Sequence, residues 1–214
     1  RFGVPGVAEI VVADASAATL AARTLGGPVV LKVLSGQITH KSDVGGVALN
    51  LDESSIGPRL AGMSAAVAAH TGQPPTRFLV QQQVSGGVEL ILGMFRDPLG
   101  TAILLGMGGV TAELIGDTTM RMLPPGGGLS AAQALDMLRR LKTWPLLDGY
   151  RGRPRADVAA AAEAIAAFSR MVAQLGERLV EAEINPLFVL APGQGVLAAD
   201  GVVVLRDPDQ AHGQ

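Results

Sequence analysis

Residues 38–46, with the sequence ITHKSDVGG, combine residue types that suit phosphate chemistry. The imidazole of His40 can act as a nucleophile near neutral pH, and Lys41 places a positive charge beside it. Gly45 and Gly46 let the backbone approach a ligand closely, so that N–H groups can cradle phosphate oxygens. The GxxxxGK[ST] spacing of a P-loop is absent. From the residues alone, a loop that only hydrogen-bonds phosphate is favoured over one whose histidine accepts a phosphoryl group.

A second candidate is Lys32, which lies within the run PVVLKV at positions 28–33. This run is β-branched and almost wholly apolar, and it predicts a strand that is covered on both faces. An unpaired ammonium group there would be strongly destabilising, so we expect Lys32 to have an anionic partner. An internal ion pair and the phosphate of a ligand remain equally open as that partner.

Carboxylates and an asparagine on predicted strands form a third group of candidates. Glu89, in VELILG, shares a strand face with Ile91, which indicates a half-buried position unless the strand is an edge that faces solvent. Glu183 and Asn185 are two residues apart and also share a face, and a regular hairpin would return Asp200 to the same end. Asparagine and aspartate oxygens suit Mg²⁺, although Asn-Pro and Asp-Gly are also typical of turns.

The elements that must position these residues fall into two groups. Positions 1–84 predict four strands and two helices, which form a small α+β lobe with a phosphate loop at 35–46. The predicted strands lie at 7–12, 28–33, 46–51 and 78–84. Asp14 or Ser16 can cap the first helix, which Gly26 ends after Leu25, and the second helix covers 57–70.

Positions 85–214 predict a second α+β lobe, which would contain the metal site. Its predicted strands lie at 88–95, 100–110 and 118–123, and a hairpin is expected from 181–190 and 196–205. Ser130 and Gln133 form a capping box for a helix over 130–142. A loop is predicted at 143–154, followed by a longer helix that Gly176 ends.

Composition narrows the classes of protein. The 214 residues are 48% hydrophobic, with 17 basic and 19 acidic side chains, so nucleic acid and anionic membranes are not expected partners. The chain contains no cysteine, which excludes thiol catalysis and disulfides. It shows no signal segment and no apolar run near the ~20 residues of a membrane span, so we expect a cytoplasmic location. Because it begins at Arg1, we also expect it to come from a longer protein.

Six segments occur in an order that resembles one known family over nearly the whole chain. They are PVVLKV, ITHKSDVGGVALNL, FLVQQQVSGGVELILG, RDPLGTAILLGMGGV, LLDGYRGRP and EINPLFV. The order resembles the ATP-grasp part of the ADP-forming acyl-CoA synthetases, which include ADP-forming acetate-CoA ligase and are similar to the β-subunit of succinyl-CoA synthetase. The resemblance implies an α+β ATP-grasp fold in which two lobes sandwich ATP or ADP. It also implies CoA-binding and ligase domains elsewhere in the chain or in a separate α-subunit, with CoA and a small carboxylic acid as substrates.

The resemblance assigns roles to the candidate residues. The residues implied to contact nucleotide phosphates are Lys32, Lys41, Gly45 and Gly46, and the hinge that reads adenine is implied to contain Gln81, Gln83 and Val84. Glu89 is implied to lie near the ribose. Mg²⁺ is implied to bind Asn185 and Asp200, with Glu183 beside the phosphoryl-transfer site. In succinyl-CoA synthetases the loop after the lysine strand is richer in glycine and carries arginine. His40 and Lys41 at these positions indicate the acetate-CoA ligase branch.

Within that family, His40 is implied to relay a phosphoryl group from an acyl phosphate to ADP. The reaction converts a carboxylate, CoA and ATP to acyl-CoA, ADP and phosphate, and it can run in either direction. An alternative is a non-catalytic regulatory module, because the same domains occur fused to an acetyltransferase domain in certain protein lysine acetyltransferases. The presence of Lys32, His40, Asn185 and Asp200 favours the enzyme. His70, at a helix end, is expected to be structural.

Overall fold

Two compact units make up the chain in a computed structural model that describes residues 2–35, 44–109 and 115–207. The first unit covers Val7–Ser85, and the second combines the start of the chain through Gly6 with the chain from Gly86 onward. The lobes predicted at 1–84 and 85–214 differ from this division at Ser85 and in the first six residues. The first six residues belong to the second unit because the Ala198 N–H donates to the Pro5 carbonyl at 2.8 Å and Gly6 forms a β-bridge with Ala198.

The first unit is a four-stranded antiparallel sheet with two helices. Its elements are β1 (Glu9–Val12), α1 (Ala15–Leu25), β2 (Val29–Val33), β3 (Val47–Leu51), α2 (Ile56–Thr71) and β4 (Phe78–Gln82), and the strand order is β1-β4-β2-β3. Asp14 caps α1 by accepting a hydrogen bond from the Ala17 N–H at 2.8 Å, and Gly26 ends the helix, both at predicted positions. The core contains Leu31, Met63 and Phe78.

The second helix of this unit begins at an acidic turn. Asp52 accepts hydrogen bonds from the hydroxyls and backbone amides of Ser54 and Ser55, and its carbonyl accepts from the Ile56 N–H. The hydrogen bond from the Ser55 hydroxyl is the largest cause that lowers the pKa of Asp52, to about 2. At pH values above this pKa, the Asp52 carboxylate is charged and stabilises the N-terminus of α2.

The second unit is a larger antiparallel sheet that packs against helices on one side. Its elements are β5 (Val88–Asp97), β6 (Gly100–Met107), β7 (Thr118–Met122), α3 (Ala131–Arg140), α4 (Trp144–Asp148), α5 (Val158–Leu175), β8 (Leu179–Val189), β9 (Val196–Ala198) and β10 (Gly201–Leu205). The strand order is β10-β8-β5-β6-β7, and β9 also pairs with β8. Leu90, Leu92, Ile103 and Leu105 of the sheet form one core with Phe168 of α5.

One prediction for this unit was wrong. The segment 143–154, predicted as a loop, contains α4 and a 3-10 turn at Tyr150–Gly152. Pro145 lies in the first turn of α4, where a missing N–H costs no helical hydrogen bond. Gly149, with φ of 98°, ends the helix by donating to the Pro145 carbonyl, and Leu147 is fully buried. A helix of one turn is too short for hydrophobic periodicity to reveal it.

Helix α5 is a long and largely apolar helix. By length and composition alone, the stretch Val158–Arg178 could cross a membrane, since its mean hydropathy is 1.3. Half of this stretch is buried inside the protein, and Ile165 and Phe168 belong to the core of the second unit. The same composition is expected of a central core helix.

Candidate functional site

The candidate residues of the second unit share one face of its sheet. Gly93 on β5 pairs with Glu183 on β8, which in turn pairs with Val202 on β10. Opposed residues of an antiparallel pair lie on the same face, and so do residues two apart along a strand. Glu89, Glu183, Asn185 and Asp200 therefore lie together on the face that points away from the helical core, which we call the site face.

A β-bulge shapes the site face at Asn185. Leu90 pairs with Leu187 and Leu92 pairs with Ile184, so that two residues of β8, Asn185 and Pro186, oppose the single residue Ile91. A bulge of this kind redirects the side chain that it carries. Asn185 thus lies within a strand rather than in the turn that its Asn-Pro sequence also allowed.

The hairpin places Asp200 against Asn185, as the sequence predicts. The Asn185 N–H donates to the Asp200 carbonyl at 3.0 Å, and the Ala199 N–H donates to the Pro186 carbonyl at 3.1 Å. The Asp200 carboxylate accepts a hydrogen bond from the Gly201 N–H at 3.0 Å. Asn185 is exposed, whereas Asp200 and Glu183 are half-buried.

The chemistry of these side chains can be compared with the needs of a metal ion. Within 2–35, 44–109 and 115–207, no group of three or more histidine, cysteine, aspartate or glutamate residues is arranged to hold a metal. Asn185 and Asp200 offer two oxygen ligands from adjacent strand positions. Mg²⁺ commonly takes one or two protein oxygens and completes its shell with water and phosphate, so the pair fits an ion that arrives with a nucleotide.

Two glycines that the sequence reasoning did not single out lie against Glu89. The Gly108 N–H donates to the Glu89 carbonyl at 2.7 Å, and a Cβ on Gly108 would lie 2.9 Å from the Glu89 Cβ. Gly109, with φ of 88°, would bring a Cβ within 3.6 Å of the Glu89 carboxylate. The sequence GMGGV carried the signal, because paired glycines after a strand are typical of close backbone approach.

In the first unit, Lys32 lies in the interior of the sheet. It pairs with Val47 of β3 on one side and Leu79 of β4 on the other. Its neighbours Leu31 and Val33 are fully buried on the opposite face, whereas Lys32 itself is half-buried. Gly45, with φ of 69°, and Gly46 lead into β3 directly beside the end of β2.

A hydrogen bond from the Val33 N–H to the Gly46 carbonyl, at 2.8 Å, holds the two glycines beside the end of β2. The predicted phosphate-loop glycines therefore lie next to the strand of Lys32. His40 and Lys41, which belong to the same predicted loop, lie outside the described residues.

The predicted hinge residues make contacts inside the first unit. The Gln81 side chain is buried and donates to the Glu9 carboxylate at 2.6 Å. The Gln83 side chain accepts from the Asn50 N–H and donates to the Asn50 side chain, both at 2.7 Å, and its backbone N–H donates to the Pro28 carbonyl at 3.0 Å. These contacts anchor the end of β4, and recognition of a base by the half-buried Val84 stays a prediction.

Asp117 is a buried carboxylate that the sequence reasoning also missed. Burial acts to raise the pKa of Asp117, but hydrogen bonds from the Thr143 hydroxyl and the Lys142 and Thr143 amides, together with the Lys142 charge, outweigh burial and lower the pKa. The two amide bonds measure 2.8 Å each. Asp117 thereby ties the start of β7 to the turn between α3 and α4, which is a structural role.

Comparison with known proteins gives consistent matches. A family model described as an ATP-grasp domain matches residues 1–205. Acetate–CoA ligase [ADP-forming] I of Archaeoglobus fulgidus is 38% identical over 180 residues, which are 82% of this chain and 25% of that protein. The beta subunit of acetate–CoA ligase [ADP-forming] I of Pyrococcus furiosus is 32% identical over 210 residues, which are 95% of this chain and 86% of the subunit. This chain spans about a quarter of the length of the first curated relatives that it matches.

Solved structures of acetyl-coenzyme A synthetase 1 from Candidatus Korarchaeum cryptofilum are also similar. One, in complex with coenzyme A, Ca-AMPCP and HgCl⁺, has a TM-score of 0.85 and 32% identity, and the match covers 96% of this chain and 88% of that chain. Another, in complex with coenzyme A and Mg-AMPPCP, has its phosphohistidine segment pointing towards the nucleotide binding site; its TM-score is 0.78 at 32% identity, over 96% of this chain and 87% of that chain.

Proposed function

This chain belongs to the ATP-grasp domain family, and from that premise we propose that it is the nucleotide-binding and phosphoryl-transfer part of an ADP-forming acyl-CoA synthetase. The reaction of the whole enzyme would convert a carboxylate, CoA and ATP to acyl-CoA, ADP and phosphate. The matches to ADP-forming ligases and to their beta subunits, at 30–38% identity, support this proposal.

The observation that carries the proposal is the site face. A nucleoside triphosphate needs oxygen ligands for its metal and hydrogen-bond acceptors for its ribose hydroxyls. Asn185 and Asp200 would hold Mg²⁺, which when bound neutralises phosphate charge. Glu89 would accept hydrogen bonds from the ribose, and Glu183 lies beside the metal pair on the same strand face. In the first unit, Lys32 would supply a positive charge for a nucleotide phosphate.

The rest of the enzyme would lie in other domains. Relatives occur both as separate beta subunits and as longer chains, of which this chain spans about a quarter. We therefore propose CoA-binding and ligase domains, in the same chain or in an α-subunit, as the partners of this domain. The carboxylic acid and CoA would bind mainly in those domains, and the nucleotide would bind here.

Titration calorimetry of ADP and ATP against the 214-residue chain tests the proposal. Binding should be tighter in Mg²⁺ than in EDTA, and Asp200→Ala should remove most of that difference because it removes a ligand of the ion. Glu177→Gln is a matched control, since Glu177 is an exposed carboxylate of the same unit outside the site face. Equal affinity of the unaltered chain in Mg²⁺ and in EDTA contradicts the metal assignment, and no nucleotide binding at all contradicts the proposed function.

A further inference from the structure

Strand β10 exposes an unusual run of apolar side chains at the edge of the second unit's sheet. Val202, Val203, Val204 and Leu205 are 46%, 54%, 40% and 46% exposed, so both faces of the strand are open. Edge strands are commonly protected by charged residues or proline, which prevent pairing with another chain. No charged residue and no proline lies between Gly201 and Leu205. The composition of β10 is therefore typical of a strand whose outer edge pairs with another strand.

The hydrogen bonds of β10 identify which residues face outward. The Asp200 carbonyl accepts from Asn185, and the Arg206 N–H donates to the Arg178 carbonyl at 2.8 Å, so even-numbered residues bond to β8. In an antiparallel ladder the alternate residues direct their backbone groups to the other side. The residues whose backbone groups point to the outer edge are therefore Gly201, Val203 and Leu205. No strand in the described part of the chain pairs with β10 on that edge.

The sequence of this edge is complementary to itself. If a second β10 is placed antiparallel and centred on Val203, each Val203 opposes the other Val203, and Val202 opposes Val204. Gly201 opposes Leu205, so that a large side chain meets a position without one. Asp200 opposes Arg206, so that opposite charges meet at both ends of the pairing.

We propose that the outer edge of β10 is a homodimer interface, in which two copies of this chain pair their β10 strands antiparallel about Val203. The two opposed Val203 residues would exchange two backbone hydrogen bonds, and each Leu205 N–H would donate to the Gly201 carbonyl of the other copy. The copies would thus share about four backbone hydrogen bonds, because the Gly201 N–H already donates to the Asp200 carboxylate. A two-fold axis through Val203 makes the contact closed, because each copy uses the same edge once. This inference does not depend on the proposed function.

The absence of cysteine from the chain allows a test of the pairing register by disulfide cross-linking. Val202→Cys and Val204→Cys are made separately, and the two variants are mixed and oxidised. In the proposed register Val202 of one copy opposes Val204 of the other at a Cα separation of about 4.5 Å, which a disulfide spans. Two copies of the same variant place their cysteines roughly 8 Å apart, which is too far.

A cross-linked dimer in the mixture, with little in either variant alone, is the expected result. Equal cross-linking in all three samples, or none in any, overturns the proposed register.

Sedimentation velocity over a range of concentrations tests the interface itself. Val203→Pro removes an outward N–H and leaves the hydrogen bonds to β8 in place, so it should weaken the dimer by about tenfold or more. Val203→Thr keeps the N–H and the β-branched shape, and should dimerise as the unaltered chain does. A chain that is monomeric at every concentration, or a dimer that Val203→Pro leaves intact, overturns the proposal. If Val203→Pro fails to fold, the mixed cysteine experiment decides.

Discussion

The alternation of side chains along a strand determines which candidate residues of this protein are available to a ligand. Lys32 differs in burial from both neighbours because successive residues of a strand point to opposite faces. Leu31 and Val33 fill the core of the first unit, and Lys32 is left on the other face, flanked by strands on both sides. The same alternation gathers Glu89, Glu183, Asn185 and Asp200 on the site face of the second unit.

Lys32→Met provides a test at this scale. If the ammonium pairs with nucleotide phosphate, its removal should weaken ATP binding by about 1.5 to 3 kcal/mol, or roughly 10- to 150-fold, while the protein still folds. Calorimetry gives the affinity and thermal unfolding gives the stability. Lys142→Met, at an exposed position, is the control and should bind ATP normally. Loss of thermal stability with normal ATP binding by the folded remainder would instead assign Lys32 to an internal ion pair.

In the second unit, Gly128 allows the loop before α3 to pack closely against α5. A Cβ on Gly128 would lie 2.7 Å from the Arg170 backbone nitrogen and 2.8 Å from the Ser169 hydroxyl oxygen. Ser169 is fully buried; its hydroxyl accepts from the Leu129 N–H and donates to the Ala166 carbonyl, both at 2.7 Å. The loop before α3 therefore lies directly on α5, at a distance that only glycine allows.

Gly128→Ala should lower the free energy of unfolding by about 1 to 3 kcal/mol, because a methyl group there forces the loop away from α5. Denaturant unfolding measures the effect. Gly127→Ala is a matched neighbour, since its Cβ would meet nothing within 4 Å, and it should change stability little. Equal effects of the two substitutions would contradict the packing explanation.

At the scale of the whole molecule, the proposed reaction would need domains in addition to the nucleotide-binding domain. The longer relatives are more than three times as long as this chain, and a phosphohistidine segment points towards the nucleotide binding site in one structure of a similar synthetase. We propose that an imidazole nitrogen of His40 attacks the phosphorus of an acyl phosphate, so that a P–N bond forms, the P–O bond to the acyl group breaks and the carboxylate leaves. A phosphate oxygen of ADP then attacks the same phosphorus, the P–N bond breaks, and ATP and the neutral imidazole are formed. Splitting one transfer into two in this way requires a histidine that can meet both the donor and the nucleotide.

His40→Asn tests the relay in the enzyme reassembled with its CoA-binding and ligase domains. Asparagine keeps hydrogen bonding but supplies no phosphoryl acceptor, so ATP synthesis from acetyl-CoA, phosphate and ADP should be abolished while nucleotide affinity stays within a few fold. An acid-labile, base-stable phosphate on His40 after incubation with ATP and Mg²⁺ would support the relay directly. His70→Asn, at an exposed helix end, should keep full activity. Full turnover by His40→Asn would leave the loop as a phosphate cradle only.

The elements of this protein follow from its sequence because their signals are local. Asp14 and the pair Ser130 and Gln133 cap their helices as predicted, since an N-cap contacts only the first turn. Apolar and alternating runs predicted the strands, and the two-residue spacing of Glu183 and Asn185 predicted a common face for their side chains. The order of the six motifs along the chain indicated the family before any contact was known.

Only the tertiary structure decided the contacts between segments that are distant in sequence. The bulge that sets Asn185 and Pro186 against Ile91 depends on the register of β5 with β8, and no local pattern encodes which residue of one strand opposes which residue of another. The Gln81 contact with Glu9 and the burial of Asp117 under Thr143 arise in the same way, from the packing of separate elements. Propensity and periodicity describe a segment by itself, whereas register and packing are properties of pairs of segments.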